Sequence, residues 1–263
     1  ARRNSSPSFD HVGFSAGFNY ELPGQHAIFG HYTEAAKLPH FDDIRGGSLQ
    51  DDEVTNVVLG YKTMLTNLSL FATLFQTKFD NVFFNDVLAD GSTARRNAAT
   101  RTRGLEIEGV YQPIEAFSVT LSLTQQEPEY QDFLVRNEQT GTTNDLSGNR
   151  IRRIPETIAR LTPSYSFMGN RGQVYLTWSY YGERPSNDEN TIELPSYNKL
   201  DAGVIFDATD RLRLQLTGEN LTDEVGLTEG NPRTDVGAGG IGSVYTARPL
   251  FGRSVLAGGT LWF

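Results

Sequence analysis

The residues best suited to chemistry in this chain are charged or aromatic, and their spacing suits binding rather than bond-breaking. Arg95 and Arg96 are adjacent, and Arg150, Arg152 and Arg153 crowd one short segment. Clustered guanidinium groups grip carboxylate, phosphate or chelate oxygens through paired N–H donors. Phe41, Phe133 and Tyr245 stand in or beside polar segments, where a ring stacks on a catecholate or sugar or packs within its own loop. No nucleophile, base and orienting acid share a recognisable spacing; a Ser or Asp beside His31 or His40 is all that a hydrolase reading offers. The four histidines, His11, His26, His31 and His40, lack metal-ligand spacing, and cysteine is absent, so no metal and no disulfide framework is expected. Asp51, Asp52 and Glu53 read as a solvated loop end rather than a calcium site. Gly237–Gly242 (GAGGIG) fits a dinucleotide-binding glycine pattern, but no strand–helix unit surrounds it, and it reads as a loop. No cofactor is implied.

The elements that must position these residues are strands. The closing stretch, PLFGRSVLAGGTLWF, puts Val255, Ala257, Gly259, Leu261 and Phe263 on one face of an extended segment. A strand ending on an aromatic carboxy-terminus is what closes the wall of an outer-membrane barrel. The chain has 263 residues, enough for one large all-β unit, and its net charge of -9 argues against a nucleic-acid partner. Mean hydropathy is -0.40 and no apolar run reaches the length of a membrane helix, but a barrel strand needs apolar residues only at alternate positions. The opening ARRNSSPSFD has no apolar segment of a signal peptide, so an amino-terminal part preceding it is expected.

Period-2 alternation then recurs along the chain. Val12, Phe14, Ala16, Phe18 and Tyr20 share a face in residues 11–20, and residues 26–34 return after a short turn. A long polar segment precedes residues 54–62, where Thr55, Val57, Leu59 and Tyr61 align; residues 68–77 follow with Leu68, Leu70, Ala72 and Leu74. After the polar segment NDVLADGSTARRN, residues 99–111 set Leu105, Ile107, Gly109 and Tyr111 against Glu106 and Glu108. The clearest case is residues 117–124, Phe117, Val119, Leu121 and Leu123 against Ser118, Thr120, Ser122 and Thr124. Further strands carry Ala159–Phe167, Val174–Tyr180, Leu200–Phe206, Leu212–Leu216 and the closing segment.

About eleven strands result, with short turns and long loops in alternation. With the short turns at the periplasm, Tyr20, Tyr61, Tyr111, Phe117, Phe167, Phe206 and Phe263 all fall at the lower end of the apolar face, as an interfacial aromatic girdle. A soluble β-sandwich or propeller also alternates but predicts neither feature. The first and last strands run the same way, whereas bacterial barrels have even strand numbers, so strands preceding residue 1 are expected.

Several segments resemble the carboxy-terminal half of TonB-dependent outer-membrane receptors. They are FGHYTEAAKLPHFDDI (29–44), EVTNVVLGYKT (53–63), LFATLFQTKFDNVFFND (70–86), RRNAATRTRGLEIEGVYQP (95–113), LTGENLTDE (216–224) and GRSVLAGGTLWF. The resemblance implies that residues 1–263 are the last part of an antiparallel transmembrane β-barrel of about 22 strands, without its plug domain. It also implies an outer-membrane location in a Gram-negative bacterium. The implied function is active import of a scarce small-molecule ligand, a ferric siderophore first, powered by the TonB complex acting through the missing amino-terminal part. A passive pore, or a receptor for cobalamin or an oligosaccharide, is the alternative. The protein binds and gates; it is not expected to be an enzyme.

In such a barrel the parity sends Glu106, Glu108, Arg160, Lys199, Asp201, Arg211 and Arg213 into the lumen, toward the plug or into a merely solvated interior. The rim set is Arg95, Arg96, Arg150, Arg152, Arg153, Phe133 and Tyr245, facing an anionic ligand or the phosphates of lipopolysaccharide. Arg101 and Arg103 share the parity of Leu105, so outer-membrane lipid phosphate is their expected partner.

Overall fold

The computed structural model describes residues 11–38, 52–87, 93–136, 141–230 and 247–263. Its strands are numbered in chain order. Eleven of them form one antiparallel sheet: β1 (Phe14–Leu22), β2 (His26–Lys37), β3 (Asp52–Met64), β4 (Leu68–Val87), β5 (Thr93–Ile114), β6 (Phe117–Asp132), β9 (Thr157–Phe167), β10 (Gly172–Tyr181), β13 (Tyr197–Thr209), β14 (Leu212–Glu219) and β17 (Ser254–Leu261). Each pairs with its neighbour in that order, so β1 and β17 are the two ends of the sheet and run in the same direction. The other six strands make three short ribbons at the long-loop end: β7 (Leu134–Arg136) with β8 (Thr143–Asp145), β11 (Arg184–Pro185) with β12 (Glu193–Leu194), and β15 (Leu227–Gly230) with β16 (Ala247–Pro249).

The register carries the alternation across the whole wall. One row of cross-strand partners runs Leu70, Gly109, Leu121, Leu161, Trp178, Leu200 over six strands. Shifted by one residue, the next row runs Phe71, Glu108, Ser122, Arg160, Ser179, Lys199. Because successive side chains point to opposite faces, the first row is apolar and the second mostly polar throughout. The apolar face lies open: Leu59, Leu74 and Leu216 are each at least half exposed (50%, 55% and 50%). So large a bare apolar surface is stable against hydrocarbon, not against water. On β5 it reaches from Tyr111 to Leu105, about 20 Å along the strand, on the scale of the roughly 25 Å apolar band of a membrane barrel.

Aromatic rings edge this band at both ends. At the short-turn end Phe167 and Phe206 stack 6.3 Å apart at 5°, across Gly172, their common partner in the register. Tyr61 stacks on His26 and its hydroxyl lies 2.7 Å from His26 Nδ1. A second row stands at the other end, where Phe14 meets Tyr32 at 6.2 Å and Trp178 meets Tyr180 at 6.2 Å. That row goes beyond the single girdle expected from the sequence.

Three strands run well past the apolar pattern. β4 and β5 pair as far as Val87 and Thr93, and β6 continues to Asp132. Arg95 and Arg96 therefore lie in strand β5, opposite Asn85 and Phe84, not in a loop. Above the hydrocarbon no lipid demands apolar side chains at alternate positions, so the ladder persists on main-chain hydrogen bonds and the alternation that marks a strand is lost. Asp52 and Glu53 likewise belong to β3, and Lys37 pairs with Asp52 at 3.3 Å. His40, Phe41, Asp51, Gly237–Gly242 and Tyr245 lie outside the described residues. Among the described residues a small buried cluster sits at the long-loop end, where Phe133 and Leu146 pack on Tyr130 of β6 and Ala98 of β5, with Val135 and Ile151 against them.

Candidate functional site

The long-loop end is where the chain concentrates its polar machinery. Three neighbouring loop segments, after β6, β10 and β14, are tied into one block by side chains whose partners lie far apart in sequence. Arg150 ion-pairs with Glu193 and stands 3.7 Å from Glu156. Its backbone N–H donates to Asn190 Oδ1 at 2.7 Å, and Asn190 Nδ2 returns a bond to its carbonyl at 2.9 Å. Arg152 reaches Asp188 at 3.4 Å. Arg153 pairs with Glu229, donates to Gly230 O at 3.0 Å, and gives its backbone N–H to Pro185 O at 2.7 Å. Three arginines on one short segment thus reach β12, the β11–β12 turn and β15.

Asp188 is the hub of this block and is almost fully enclosed. It accepts the Tyr130 hydroxyl at 2.6 Å, while Asn149 Nδ2 donates to its carbonyl at 2.9 Å. Tyr130 lies in the part of β6 beyond the apolar band; burial first, then the adjacent Asp188 carboxylate, pushes its hydroxyl pKa above the ordinary value. Phe133 is fully buried, 4.6 Å from the Tyr130 ring, so its face is committed to packing in this conformation. Arg184 is buried too, donating to Gly182 O at 3.2 Å and to the Leu227 and Thr228 carbonyls, with its guanidinium 5.3 Å from the centre of the Tyr197 ring. Sequence reading singled out Arg150, Arg152, Arg153 and Phe133 and missed Arg184, Asp188 and Asn190, which sit in a polar segment with no periodicity.

The polar face of the wall carries the second set. Glu106, Glu108, Arg160, Lys199, Asp201 and Arg213 all take the parity opposite the apolar band. Lys199 and Asp201 pair at 3.0 Å, and Asp201 Oδ1 also accepts the Asn220 N–H at 2.8 Å. Arg213 holds Asp207 through two bonds of 2.7 and 3.0 Å and lies 5.7 Å from the Trp262 ring. Arg211 falls in the turn before β14. Glu106, Glu108 and Arg160 are exposed and have no ion pair among the described residues. A shallow cavity of ≈ 320 Å³ lies beside Glu108, lined by Ser69, Phe71, Thr120 and Ser122. His31 Nε2 lies 3.0 Å from Ser15 Oγ, but Thr33, not a carboxylate, is its other neighbour. That pair lacks the orienting acid of a hydrolytic triad. Among the described residues no group of acidic or histidine side chains is placed to hold a metal ion.

An eleven-strand wall, apolar on one face and charged on the other, with a braced loop block at one end, can be set beside known proteins. The family model described as "TonB dependent receptor-like, beta-barrel" matches residues 1–221. The chain belongs to that family. No curated protein matches it. Among solved structures it is similar to the siderophore receptor PiuA from Acinetobacter baumannii, at 19% identity and a TM-score of 0.72, over 94% of this chain and 35% of that one. It is similar to the ferric-catecholate import receptor Fiu from Escherichia coli K12, at 19% identity and a TM-score of 0.67, over 95% and 34%. It is also similar to the ferric yersiniabactin uptake receptor FyuA from Yersinia pestis, at 17% and 0.71, over 95% and 37%. At such identities the likeness is one of fold, and the chain spans about a third of each of these proteins. Barrels of the TonB-dependent family are outer-membrane transport receptors of Gram-negative bacteria, which is the environment the apolar band requires.

Proposed function

We propose that the chain is the closing part of an outer-membrane receptor that binds a scarce nutrient and imports it with energy from the TonB complex, ferric siderophores being the substrate class. The observation that carries this reading is the continuous two-faced register over eleven strands, the first ten of them within the family match to residues 1–221. The iron and siderophore receptors among the structural neighbours support the substrate class.

Two consequences follow for the residues. β1 and β17 run the same way, so antiparallel closure takes further strands, which upstream sequence supplies together with a plug. Glu106, Glu108 and Arg160, unpaired among the described residues, are then the wall's side of the plug contact, with Lys199, Asp201 and Arg213 as pre-paired neighbours. At the rim the work divides. Arg95 and Arg96, with Tyr245, draw and hold the ligand. Arg150, Arg152 and Arg153, with Phe133, brace the loops that shape its mouth.

The test is growth of an iron-limited strain that lacks other ferric-siderophore receptors, carrying the gene with its native upstream sequence, on a panel of ferric catecholates, hydroxamates and carboxylates. Growth on one class that depends on TonB supports the reading. Growth on none, or uptake that persists without TonB, overturns it, the latter in favour of a passive pore.

A further inference from the structure

The polar face of the wall is not polar throughout. On β4 the residues of that face are Phe71, Thr73, Phe75, Thr77 and Phe79, a phenyl ring at every fourth position over about 27 Å. β3 adds Val58 opposite Phe75 and Val54 opposite Phe79, and Phe29 of β2 stands in the row of Thr73. Glycine lets two of these rings lie down on the wall. A Cβ on Gly104 would come within 2.9 Å of the Phe75 ring, and one on Gly60 within 2.2 Å of the Phe29 ring. The result is a low apolar plate, with Phe79 at its upper end 42% exposed. Glu106 and Glu108 edge it on β5, and Lys62 of β3 stands opposite Phe71 with its ammonium 5.6 Å from the centre of the Phe29 ring.

Toward β14 the same face is built differently. Thr162 of β9 and Thr177 of β10 bond each other at 3.0 Å, Ser164 of β9 bonds Ser118 of β6 at 2.9 Å, and Gln215 of β14 bonds Thr217 at 3.1 Å. Tyr175 lies over Gly203, and Ile205 is the aliphatic exception on β13. Hydroxyls already bonded to one another exchange an outside partner for water at little cost. An apolar plate cannot do so, because baring it to water is unfavourable in proportion to its area. Whatever covers both regions therefore leaves the hydroxyl side far more readily than the aromatic side.

We infer that the plug is anchored on the Phe–Thr ladder of β4 and parts from the wall along β9 to β14, so that the passage for the imported nutrient opens on that side. The inference rests on the plug reading given above and divides its contacts in two. Phe71, Phe75 and Phe79 hold by apolar area, beside Glu106 and Glu108, whereas the contact at Arg160 is the one exchanged for water. Continuity names the occupant: Phe71 is the direct partner of Glu108, and the ladder runs a length of wall that a small ligand covers only in part.

The test is thiol labelling of the full-length receptor, freed of any native cysteine and purified in non-ionic detergent, with a small neutral maleimide. Thr73→Cys reports the ladder and Thr177→Cys the hydroxyl side, each rate being referred to that of the same thiol in urea-unfolded protein. Thr177→Cys labels about tenfold faster than Thr73→Cys, the worth of re-exposing one phenyl ring. Phe75→Thr, which continues the threonines of the ladder, speeds labelling of Thr73→Cys severalfold and leaves Thr177→Cys unchanged. Heat-dependent gel mobility verifies the folded barrel, and Phe71→Thr serves in place of a Phe75→Thr that does not fold. In iron-limited cells supplied with ferric catecholates, hydroxamates and carboxylates together, a working TonB complex raises labelling of Thr177→Cys and not of Thr73→Cys. Equal rates in the purified receptor, or no effect of the ladder variants, overturn the anchor. A TonB-dependent rise at Thr73→Cys, or at neither thiol, overturns the passage along β9 to β14. Labelling of both thiols at the unfolded rate means a lumen without a plug, and refutes the reading beneath the inference rather than the division of the wall.

Discussion

Replacing Asp188 by alanine should unlock the loop block while leaving the wall intact. Asp188 is 6% exposed, accepts the Tyr130 hydroxyl at 2.6 Å and faces Arg152 at 3.4 Å. Tyr130 is 4% exposed, so its hydroxyl cannot turn to water when the carboxylate goes. A hydrogen bond to a charged acceptor contributes about 1.5–3 kcal/mol, and we take about 2 for this one. Arg152, 3.4 Å away, keeps further contacts when the carboxylate goes, and its lost ion pair makes about 2 kcal/mol a lower bound. About 2 kcal/mol corresponds to about a 30-fold rise in local opening. Native-state hydrogen exchange reads this at the amides that cross the block: Tyr130 to Asn149 O, Gly148 to Tyr130 O, Ile151 to Pro128 O and Arg153 to Pro185 O. Those amides should exchange faster in the variant, and strand amides at Leu121 and Leu161 should not. Asp188→Asn keeps an acceptor for Tyr130 and should cost less than half as much. Tyr130→Phe combined with Asp188→Ala should cost less than the sum of the two. Unchanged exchange at Gly148 and Ile151 in Asp188→Ala, or strict additivity of the pair, would refute Asp188 as the hub.

Further outcomes follow from the wall. Leu121→Arg places a charge in mid-band and should destabilise the barrel in a bilayer by about 2–4 kcal/mol, whereas Thr120→Arg, one residue away on the polar face, should cost far less; denaturant titration in lipid vesicles checks the difference. Gly172→Ala should not give the usual gain of about 0.5–1 kcal/mol for removing a strand glycine. A Cβ there would meet the Phe167 ring at 2.2 Å and break its stacking on Phe206, whereas at Gly258 it meets nothing within 4 Å, so Gly258→Ala should show the gain in the same titration. Arg184→Met strips the Leu227 and Thr228 carbonyls of a buried cationic donor and should cost the β15–β16 ribbon about 3 kcal/mol, seen as proteolysis between residues 227 and 249 with the wall intact.

The wall was legible in the order of the residues alone. Hydrocarbon demands an apolar side chain at every second position, so the face of Leu121 or Glu108 can be read by counting, and the eleven strands and their order follow. That demand ends where the band ends. β4 and β5 continue to Val87 and Thr93 beyond the reach of hydrocarbon, and Arg95 and Arg96 read as loop because no alternation marks a strand there. The loop block lay further out of reach. Arg150 finds Glu193 across 43 residues and Arg153 finds Glu229 across 76, and no local pattern encodes contacts of that span. Phe133 on paper is an aromatic in a polar loop. Only the folding of the Leu146 segment back over β6 turns it into the centre of a core. Periodic solvent writes itself into sequence; contacts between separate loops are settled by the three-dimensional path of the chain.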